Sequence, residues 1–426
     1  MPLDDQVILD YIANHPNARR ESIRRHVAPE ASVQTIWRTL KRLVEDGRLE
    51  TTGKARSTGY ILAGPAVVRT HLGEPYYRRS PTFYNREFID RYIPNKSFYL
   101  SDVDRKHLYE AGRPVPKPVA GTYAIRVLER LLVDLSWASS RMEGNTYNIL
   151  ETERLIRFGQ EAPGKDRKET IMILNHKEAI RYVVEHLEDI TICRQDIYNI
   201  HALLADGLLI DSSMAGRPRR LPVYIAQSSY EPLDIPDAIK EEFEVLVDKA
   251  SVISDPFEQS FFLLVHIPYL QAFDDINKRT SRIASNIPLL RAELAPMSFL
   301  AVDETDYISG LLGIYELNNV SLLKEIFIEG YIASAKNYRV IRSELESPDK
   351  AAVVYRDFVR RAVRHCVLKT KKFCQEEIES MTVEAGIPEE DREQVVRYVE
   401  KETRGLHEGN LIRYRLRVKD LDGFET

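Results

Sequence analysis

The sequence lacks the features that mark secreted, disulfide-stabilised or membrane-spanning chains. Its 426 residues include only three cysteines, which form neither a metal-ligand cluster nor a disulfide scaffold: Cys193, Cys366 and Cys374. No apolar run approaches the roughly 18–20 residues of a membrane-spanning helix. The acidic start, residues 1–5, has no apolar core, so no secretory signal is expected. We therefore expect a protein of the reducing cytoplasm without membrane contact.

The sequence also lacks a large excess of charge of either sign. It has 60 basic and 65 acidic residues, and a net charge of -5 does not predict overall affinity for nucleic acid. Residues 1–65 hold ten basic and eight acidic residues, so the remainder carries a net charge of -7. A mildly basic head on an acidic body indicates separate roles. The length predicts roughly three domains with a sizeable core.

Residues 1–65 are predicted to form three short helices and two strands. Apolar residues recur at helical spacing, Ser32 can cap the third helix, and Gly47 ends it. The strands, 48–52 and 59–62, flank a turn-rich loop that carries Lys54 and Arg56. This order resembles the winged helix-turn-helix family, whose third helix reads the major groove of DNA.

The resemblance implies duplex DNA as a partner of the third helix. Its outward basic side chains are Arg38, Lys41 and Arg42, and further phosphate contacts are expected from Arg19, Arg20, Arg24, Lys54 and Arg56. The alternative is a solvated basic face on a module that binds protein.

The rest of the chain divides into three segments by composition. Residues 66–120 are rich in Pro, Tyr and Arg, and we interpret them as an ordered connector that lies on the next domain. Residues 121–335 have helical periodicity, and residues 336–426 form a mostly helical extension. In that extension we predict a long amphipathic helix, a break at 386–388, a second helix at 389–403 and a final strand at 411–418. The strand would turn outward Arg413, Arg415 and Arg417, as a solvated face or as contacts to nucleic acid or an acidic partner.

A polar loop between two apolar segments carries the strongest chemical signal. Residues 270–282 contain an acid, an amide and cations where the pattern changes from one helix to the next. Main-chain N–H groups at a helix N-terminus, together with Lys278 and Arg279, favour a phosphate chain. The carboxylate of Asp275 is a hard oxygen ligand suited to Mg²⁺. Taken alone, the segment is also consistent with a surface loop held by ion pairs.

This loop resembles the signature of Fic proteins, His-Pro-Phe-x-(Asp/Glu)-Gly-Asn-(Gly/Lys)-Arg-x-x-Arg. The matching residues are Phe273, Asp275, Asn277, Lys278, Arg279 and Arg282. Residues 139–144 resemble the inhibitory helix of the family, and residues 175–179 resemble a common helix segment. Residues 215–225, here called the flap segment, resemble the β-hairpin flap beside the active site. The order and spacing agree over roughly 210 residues, so the resemblance implies a mainly α fold with a helical bundle core.

The resemblance also implies roles for these residues. Fic enzymes mostly transfer AMP from ATP to a hydroxyl group of a target protein. Asp275 would hold Mg²⁺, Asn277 would contact the α-phosphate, and Arg279 with Lys278 and the loop amides would hold the phosphate chain. Arg282 would bind the γ-phosphate.

Regulation and target binding are implied in the same way. Glu143 would pair with Arg282 and block the γ-phosphate position, with Ser139 in the same inhibitory helix. The flap would bind an extended target segment by strand addition, through Pro222, Val223, Tyr224 and Ile225. Glu143 could instead be an ordinary acid at a helix terminus.

Two positions depart from the signature. The family histidine, a general base, falls on Gln271, whose amide has no useful proton affinity near neutral pH. Loss of a general base typically costs about 10²–10⁴-fold in rate. The first glycine falls on Ile276, so the loop is expected to be reshaped. Among the histidines, we expect His266 to be buried and hydrogen-bonded rather than a displaced base or a metal ligand, and His176 and His201 to be structural.

Two hypotheses follow. The first is a cytoplasmic Fic-type protein that binds ATP with Mg²⁺, is autoinhibited by Glu143, and has weak, altered or lost AMP transfer. The second is a DNA-binding regulator whose Fic domain senses nucleotide or forms a dimer. Both resemblances allow a homodimer. Hydrolytic removal of AMP ranks lower, because that reaction also draws on the missing histidine.

Overall fold

The structure, a computed structural model, describes residues 4–46, 48–53, 58–113, 122–345, 354–407 and 409–424. The fold is mainly helical, as predicted. The chain divides into two compact units, Met1–Arg339 and Val340–Thr426. Among the described helices, none is both long enough and apolar enough to cross a membrane.

The first unit begins with three helices and a three-stranded antiparallel sheet. The helices are α1 (Asp5–Asn14), α2 (Arg20–Val27) and α3 (Val33–Glu45); the strands are β1 (Ala18–Arg19), β2 (Leu49–Thr52) and β3 (Gly59–Leu62), in the order β1-β3-β2. Ser32 caps α3 by accepting a hydrogen bond from the Thr35 N–H, as predicted. A small apolar core joins these elements, with Ile8, Ile23 and Leu40 fully buried. Gly47, Lys54 and Arg56 lie outside the described residues.

The connector contains short elements that pack on the helices after it. They are α4 (Gly64–Leu72), β4 (Thr82–Phe83), α5 (Arg86–Asp90) and α6 (Asp102–Gly112). The buried carboxylate of Glu258 receives hydrogen bonds from the Tyr92 hydroxyl and from the main-chain N–H groups of Tyr99 and Leu100, at 2.7–3.0 Å. These bonds hold the connector against the helix on which Glu258 lies.

The helical core surrounds that helix. Its helices are α7 (Thr122–Arg141), α8 (Ile149–Phe158), α9 (Arg167–Glu185), α10 (Arg194–Ala205), α11 (Pro236–Ser251), α12 (Pro256–Leu270), α13 (Asn277–Ala284), α14 (Asn286–Arg291), α15 (Glu304–Leu317) and α16 (Ser321–Leu345). Helix α12 is apolar on all sides and almost entirely buried, which is the pattern of a helix at the centre of a core. The chain reverses after α12, and α13 packs back against it.

The hairpin predicted for the flap segment is wrong. Residues 215–225 form bends and irregular backbone, and the next strand is β5 (Tyr230–Glu231), which pairs in parallel with β4. Two features oppose a ladder here. Pro222 has no N–H to donate, and the guanidinium of Arg219 takes the carbonyls of Leu221 and Leu233.

The second unit is a small helical domain with its own apolar core. Its helices are α17 (Arg356–His365), which continues into a π turn (Cys366–Thr370), α18 (Gln375–Glu384) and α19 (Glu389–Arg404). The predicted break at 386–388 and the helix after it are confirmed, whereas α17 is shorter than the long helix expected.

The predicted final strand is wrong. Residues Leu411–Tyr414 and Val418–Leu421 form 3₁₀ helices, and Arg415 between them is left-handed, with a φ of 55°. The buried side chains Leu411 and Tyr414 are three residues apart, which is the period of a 3₁₀ turn and not that of a strand.

A buried carboxylate joins the connector to residues 228–229, just after the flap segment. The Glu316 side chain on α15 is fully buried and accepts hydrogen bonds from Arg79 at 2.9 and 3.0 Å and from Ser228 Oγ at 2.7 Å. The Ser229 N–H and His71 Nε2 lie 3.1 and 2.8 Å from it. Burial alone would raise the pKa of Glu316, but these partners lower it to about 2.

We predict that Glu316→Gln destabilises the protein by about 3 kcal/mol or more, because it leaves the charge of buried Arg79 without its partner. Thermal unfolding measures this. The matched control is Glu325→Gln, which removes a half-exposed pair with Arg69 at 3.8 Å and should cost about 1 kcal/mol or less. Equal costs for the two variants would contradict the role assigned to Glu316.

Candidate active site

The loop between α12 and α13 is a closed turn held by one amide side chain. Asn277 Oδ1 accepts from the Phe273 N–H at 3.0 Å, and Asn277 Nδ2 donates to the Phe273 carbonyl at 2.9 Å and to Gln271 Oε1 at 3.0 Å. Gln271 and Ile276, at the two ends of the loop, are left-handed, with φ of 52° and 69°. That conformation costs a side-chain-bearing residue about 1–2 kcal/mol. The loop therefore keeps the reversal that glycine usually allows, although Ile276 carries a β-branched side chain.

Two buried side chains hold this loop from the side of the flap segment. Arg219, 1% exposed, donates from Nε to the Gln271 carbonyl at 2.7 Å, and its main-chain N–H donates to the Ala272 carbonyl at 2.9 Å. His201 Nδ1 accepts from the Gly216 N–H at 2.9 Å, so its Nε2 carries the proton and donates to the Asp275 carbonyl at 3.3 Å. Hydrogen bonds therefore join the loop to the start of the flap segment.

Gln271, which we predicted to replace the histidine of the signature, has a structural role. Its Nε2 donates to the Pro268 carbonyl at 2.7 Å, and its Oε1 accepts from Asn277. The amide thus closes the C-terminus of α12 and steadies the Asn277 side chain. His266 does not replace the base: it is 1% exposed, its Nε2 lies 2.8 Å from the Tyr99 hydroxyl, and burial lowers its pKa to about 3. The prediction of a buried, hydrogen-bonded histidine is confirmed.

Three cations of α13 face the candidate site with unequal exposure. The side chains of Arg279 and Arg282 are 6% and 0% exposed, whereas Lys278 is 36% exposed. Among the described residues, Arg279 Nε, Arg279 Nη1 and Arg282 Nη1 have no hydrogen-bond partner. Burial lowers the pKa of Arg279, although Glu143 and Asp275 oppose that effect. Buried guanidinium nitrogens without a hydrogen-bond partner are costly, so the site favours an anion that would accept from them.

Glu143 lies in a turn two residues after the end of α7, and not within the predicted inhibitory helix, and it contacts two of these cations. Its Oε1 accepts from Arg282 Nη2 at 2.6 Å, and its Oε2 is 3.1 Å from Lys278 Nζ. Burial alone would raise the pKa of the carboxyl, but the charges of Arg282, Lys278 and Arg279 outweigh it and lower the pKa to about 2. Glu143 is therefore ionised at neutral pH and occupies the cations that an incoming anion would use. The pair with Lys278 was not expected from the sequence.

Ser139, one turn before Glu143, holds Arg282 from a second side. Arg282 Nε donates to Ser139 Oγ at 2.8 Å, and Arg282 Nη2 donates to the Ser139 carbonyl at 3.1 Å. Ser139 Oγ also lies 2.8 Å from Nε2 of the buried His176 on α9. Residues far apart in sequence thus converge on Arg282.

Asp275 is the exposed acid of the loop. Its side chain is 71% exposed, its Oδ1 accepts from the Ile276 N–H at 2.6 Å, and its Oδ2 is 3.5 Å from Arg279 Nη2. No group of three or more His, Cys, Asp or Glu side chains in the described part of the chain could hold a metal ion. A single exposed carboxylate is compatible with a Mg²⁺ ion whose other ligands are phosphate oxygens and water.

The remaining predicted residues are exposed or half-buried. In the flap segment, Pro222 and Tyr224 are exposed, and Val223 and Ile225 are half-buried. On α3, Arg38 and Lys41 are exposed, and Lys41 lies 5.5 Å from the centre of the Trp37 ring. Arg42 is engaged within the module, by Asp5 at 2.5 Å and Asp46 at 3.4 Å.

Comparison with known proteins agrees with the family resemblance. No protein-family model matches the chain. The sequence is 25% identical over 177 residues to protein adenylyltransferase fic-1 of Caenorhabditis elegans, covering 40% of this chain and 34% of that protein. It is 29% identical over 175 residues to protein adenylyltransferase Fic of Nematostella vectensis, covering 40% of each. The chain thus spans about a third to two fifths of the length of these curated relatives. The similarity supports the Fic domain family for the matched part.

A solved structure is similar over a longer stretch. A Fic family protein from Desulfovibrio desulfuricans G20 is 18% identical, covers 64% of this chain and 82% of that chain, and has a TM-score of 0.47.

We predict that the stabilising effect of Glu143 depends on pH. Its folded pKa, about 2, lies below that of an unfolded glutamate, so its ion pairs stabilise the protein fully above about pH 5 and are lost as the pH falls towards 2. In urea unfolding, the advantage of wild type over Glu143→Gln should shrink by about 1 kcal/mol between pH 6 and pH 3.5. The control Glu178→Gln removes an exposed pair at 3.4 Å and should show little change. A pH-independent advantage would contradict the ion pairs.

Proposed function

We propose that this protein binds ATP with Mg²⁺ at the loop between α12 and α13 and belongs to the Fic-type AMP transferases, with Glu143 restraining it. The observation that carries the proposal is the cluster beside this loop of three buried guanidinium nitrogens without a hydrogen-bond partner in the described residues: Arg279 Nε, Arg279 Nη1 and Arg282 Nη1. A phosphate chain would satisfy them with charge-assisted hydrogen bonds. The relatives named protein adenylyltransferases support the same class of substrate.

The proposed roles follow the loop from one end to the other. Asn277, held by the turn itself, would contact the α-phosphate, and the first N–H groups of α13 would receive the phosphate chain. Lys278 and Arg279 would hold the chain, with Arg282 at the γ-phosphate. Asp275 would hold Mg²⁺, which when bound neutralises phosphate charge.

The chemistry proposed for the target is attack of a hydroxyl oxygen on the α-phosphorus, with pyrophosphate leaving. An extended target segment would lie along Pro222, Val223, Tyr224 and Ile225, of which Tyr224 is 87% exposed. The missing component is a group that accepts the hydroxyl proton, because Gln271 cannot do so. We therefore infer nucleotide binding with weak or lost transfer.

We predict that Arg279→Ala weakens binding of ATP with Mg²⁺ by about 10- to 100-fold, because it removes a charge-assisted contact worth about 1.5–3 kcal/mol. Calorimetry measures the affinity. The control Arg291→Ala, an exposed arginine at the end of α14, should bind as wild type does. Equal affinity of the two variants would place the nucleotide elsewhere.

We predict that Gln271→His with Glu143→Gly raises AMP transfer by about 10²-fold or more, because it supplies the base and removes the restraint. Self-modification with labelled ATP is the readout, since it needs no known target. Ile276→Gly is added to relax the left-handed position. A triple variant that binds ATP but transfers no label would contradict the transferase proposal.

A second candidate function is DNA binding by residues 1–65. The favouring observation is α3, which presents Arg38 and Lys41 on an exposed face beside the antiparallel sheet. In this proposal the module resembles a winged helix, and the nucleotide site would sense ATP and not transfer AMP.

We predict that Arg38→Ala and Lys41→Ala each weaken binding of duplex DNA and lower the slope of log affinity against log salt by about 0.9, the value for one phosphate contact. Arg25→Ala on α2, which pairs with Glu21 at 3.7 Å, is the control. Fluorescence anisotropy at several salt concentrations measures the slope. Undetectable binding at low salt would exclude this function.

A further inference from the structure

A histidine outside the signature loop contacts a serine that hydrogen-bonds Arg282. His176 on α9 is fully buried. Its Nδ1 lies 2.8 Å from the Met172 carbonyl and 3.3 Å from Ser140 Oγ, and its Nε2 lies 2.8 Å from Ser139 Oγ. A carbonyl oxygen can only accept, so Nδ1 carries the proton and Nε2 is an acceptor.

This tautomer fixes the hydroxyl of Ser139. Because Nε2 of His176 accepts, the Ser139 O–H must donate to it, and the lone pairs of Oγ are left for Arg282 Nε at 2.8 Å. Burial, with the charge of Arg279 nearby, lowers the pKa of His176 to about 3. The imidazole is therefore neutral at physiological pH. At that pH each donor and acceptor between Met172, His176, Ser139 and Arg282 keeps its role.

The fixed hydroxyl in turn limits what Arg282 can bind. Its Nε is taken by Ser139 Oγ, and its Nη2 is shared between the Ser139 carbonyl and Glu143. Only Nη1 has no hydrogen-bond partner among the described residues, and the centre of the Tyr307 ring lies 5.4 Å from the guanidinium carbon. A guanidinium binds phosphate most strongly when two adjacent nitrogens donate to it. In this orientation Arg282 can donate only from Nη1, so its contact with a phosphate would be weak.

We propose that His176 is a positioning residue of the restraint, which acts through Ser139 to hold Arg282 in the orientation that receives Glu143. This inference rests on the proposed function, in which Arg282 serves the γ-phosphate. The restraint then has two parts. One is the charge of Glu143. The other is the series of hydrogen bonds from the Met172 carbonyl through His176 and Ser139, which orients the Arg282 guanidinium.

The opposing interpretation is that His176 only fills the core. In that case its substitution would lower stability without changing the ionisation of Glu143 or the discrimination between nucleotides. The two interpretations therefore differ in measurements that stability alone does not determine.

The first test needs no nucleotide. Carbon-13 NMR of labelled glutamate side chains in the full chain follows the titration of Glu143. We expect His176→Leu and Ser139→Ala each to raise the pKa of Glu143 from about 2 towards the ordinary value, because Arg282 is no longer held against it. His176→Gln keeps an acceptor of similar reach and should preserve the low value. An unchanged Glu143 titration in folded His176→Leu would overturn the proposal.

The second test uses ATP and ADP, each with Mg²⁺, in calorimetry. We expect His176→Leu to tighten ATP binding by about three- to tenfold, the worth of one hydrogen bond, and to change ADP binding less. The gain should disappear when Ser139→Ala or Glu143→Gly is already present, since all three act on one contact. A gain of equal size in the Glu143→Gly background would overturn the proposal. If Glu143→Gly itself binds no ATP, the proposed function fails, and the NMR titration decides the role of His176 by itself.

Discussion

The central physical constraint is the ionised Glu143 placed among the buried cations of α13. The Arg279 and Arg282 side chains are almost fully buried, and a buried charge without a partner lowers stability. Glu143 satisfies part of this demand with contacts of 2.6 Å to Arg282 and 3.1 Å to Lys278. The same contacts compete with any anion that needs these groups. The ion pairs of Glu143 would therefore both stabilise the protein and keep an anion out of the site.

The rest of the fold maintains the geometry that this interaction needs. Helix α12 supplies a rigid base, Asn277 and Gln271 close the turn, and Arg219 joins that turn to the flap segment. These contacts explain how the reversal survives with Ile276 in a left-handed conformation. Gln271 keeps the turn closed through Asn277 although its amide cannot accept a proton. In the proposed function, nucleotide binding and AMP transfer would therefore depend on different atoms.

Local sequence rules anticipated the helices, the cap at Ser32 and the break before α19, because each depends on a few neighbouring residues. They failed where a distant partner decides the backbone. The family resemblance of the flap segment implied a hairpin, but the Arg219 guanidinium donates to main-chain carbonyls that a β-ladder would use. The alternation of side chains after Leu411 also indicated a strand. Instead, Leu411–Tyr414 is a 3₁₀ helix, and Leu411 and Tyr414 are both buried. Likewise, nothing near His176 in sequence indicates its contact with Ser139.

The central claim is that Glu143 competes with the γ-phosphate of ATP for Arg282. The decisive measurement is calorimetric titration of wild type and Glu143→Gly with ATP and with ADP, each in the presence of Mg²⁺. We expect Glu143→Gly to tighten ATP binding by a larger factor than ADP binding, since only ATP has the phosphate that would meet Arg282. An equal gain for both nucleotides, or no gain for either, would contradict it.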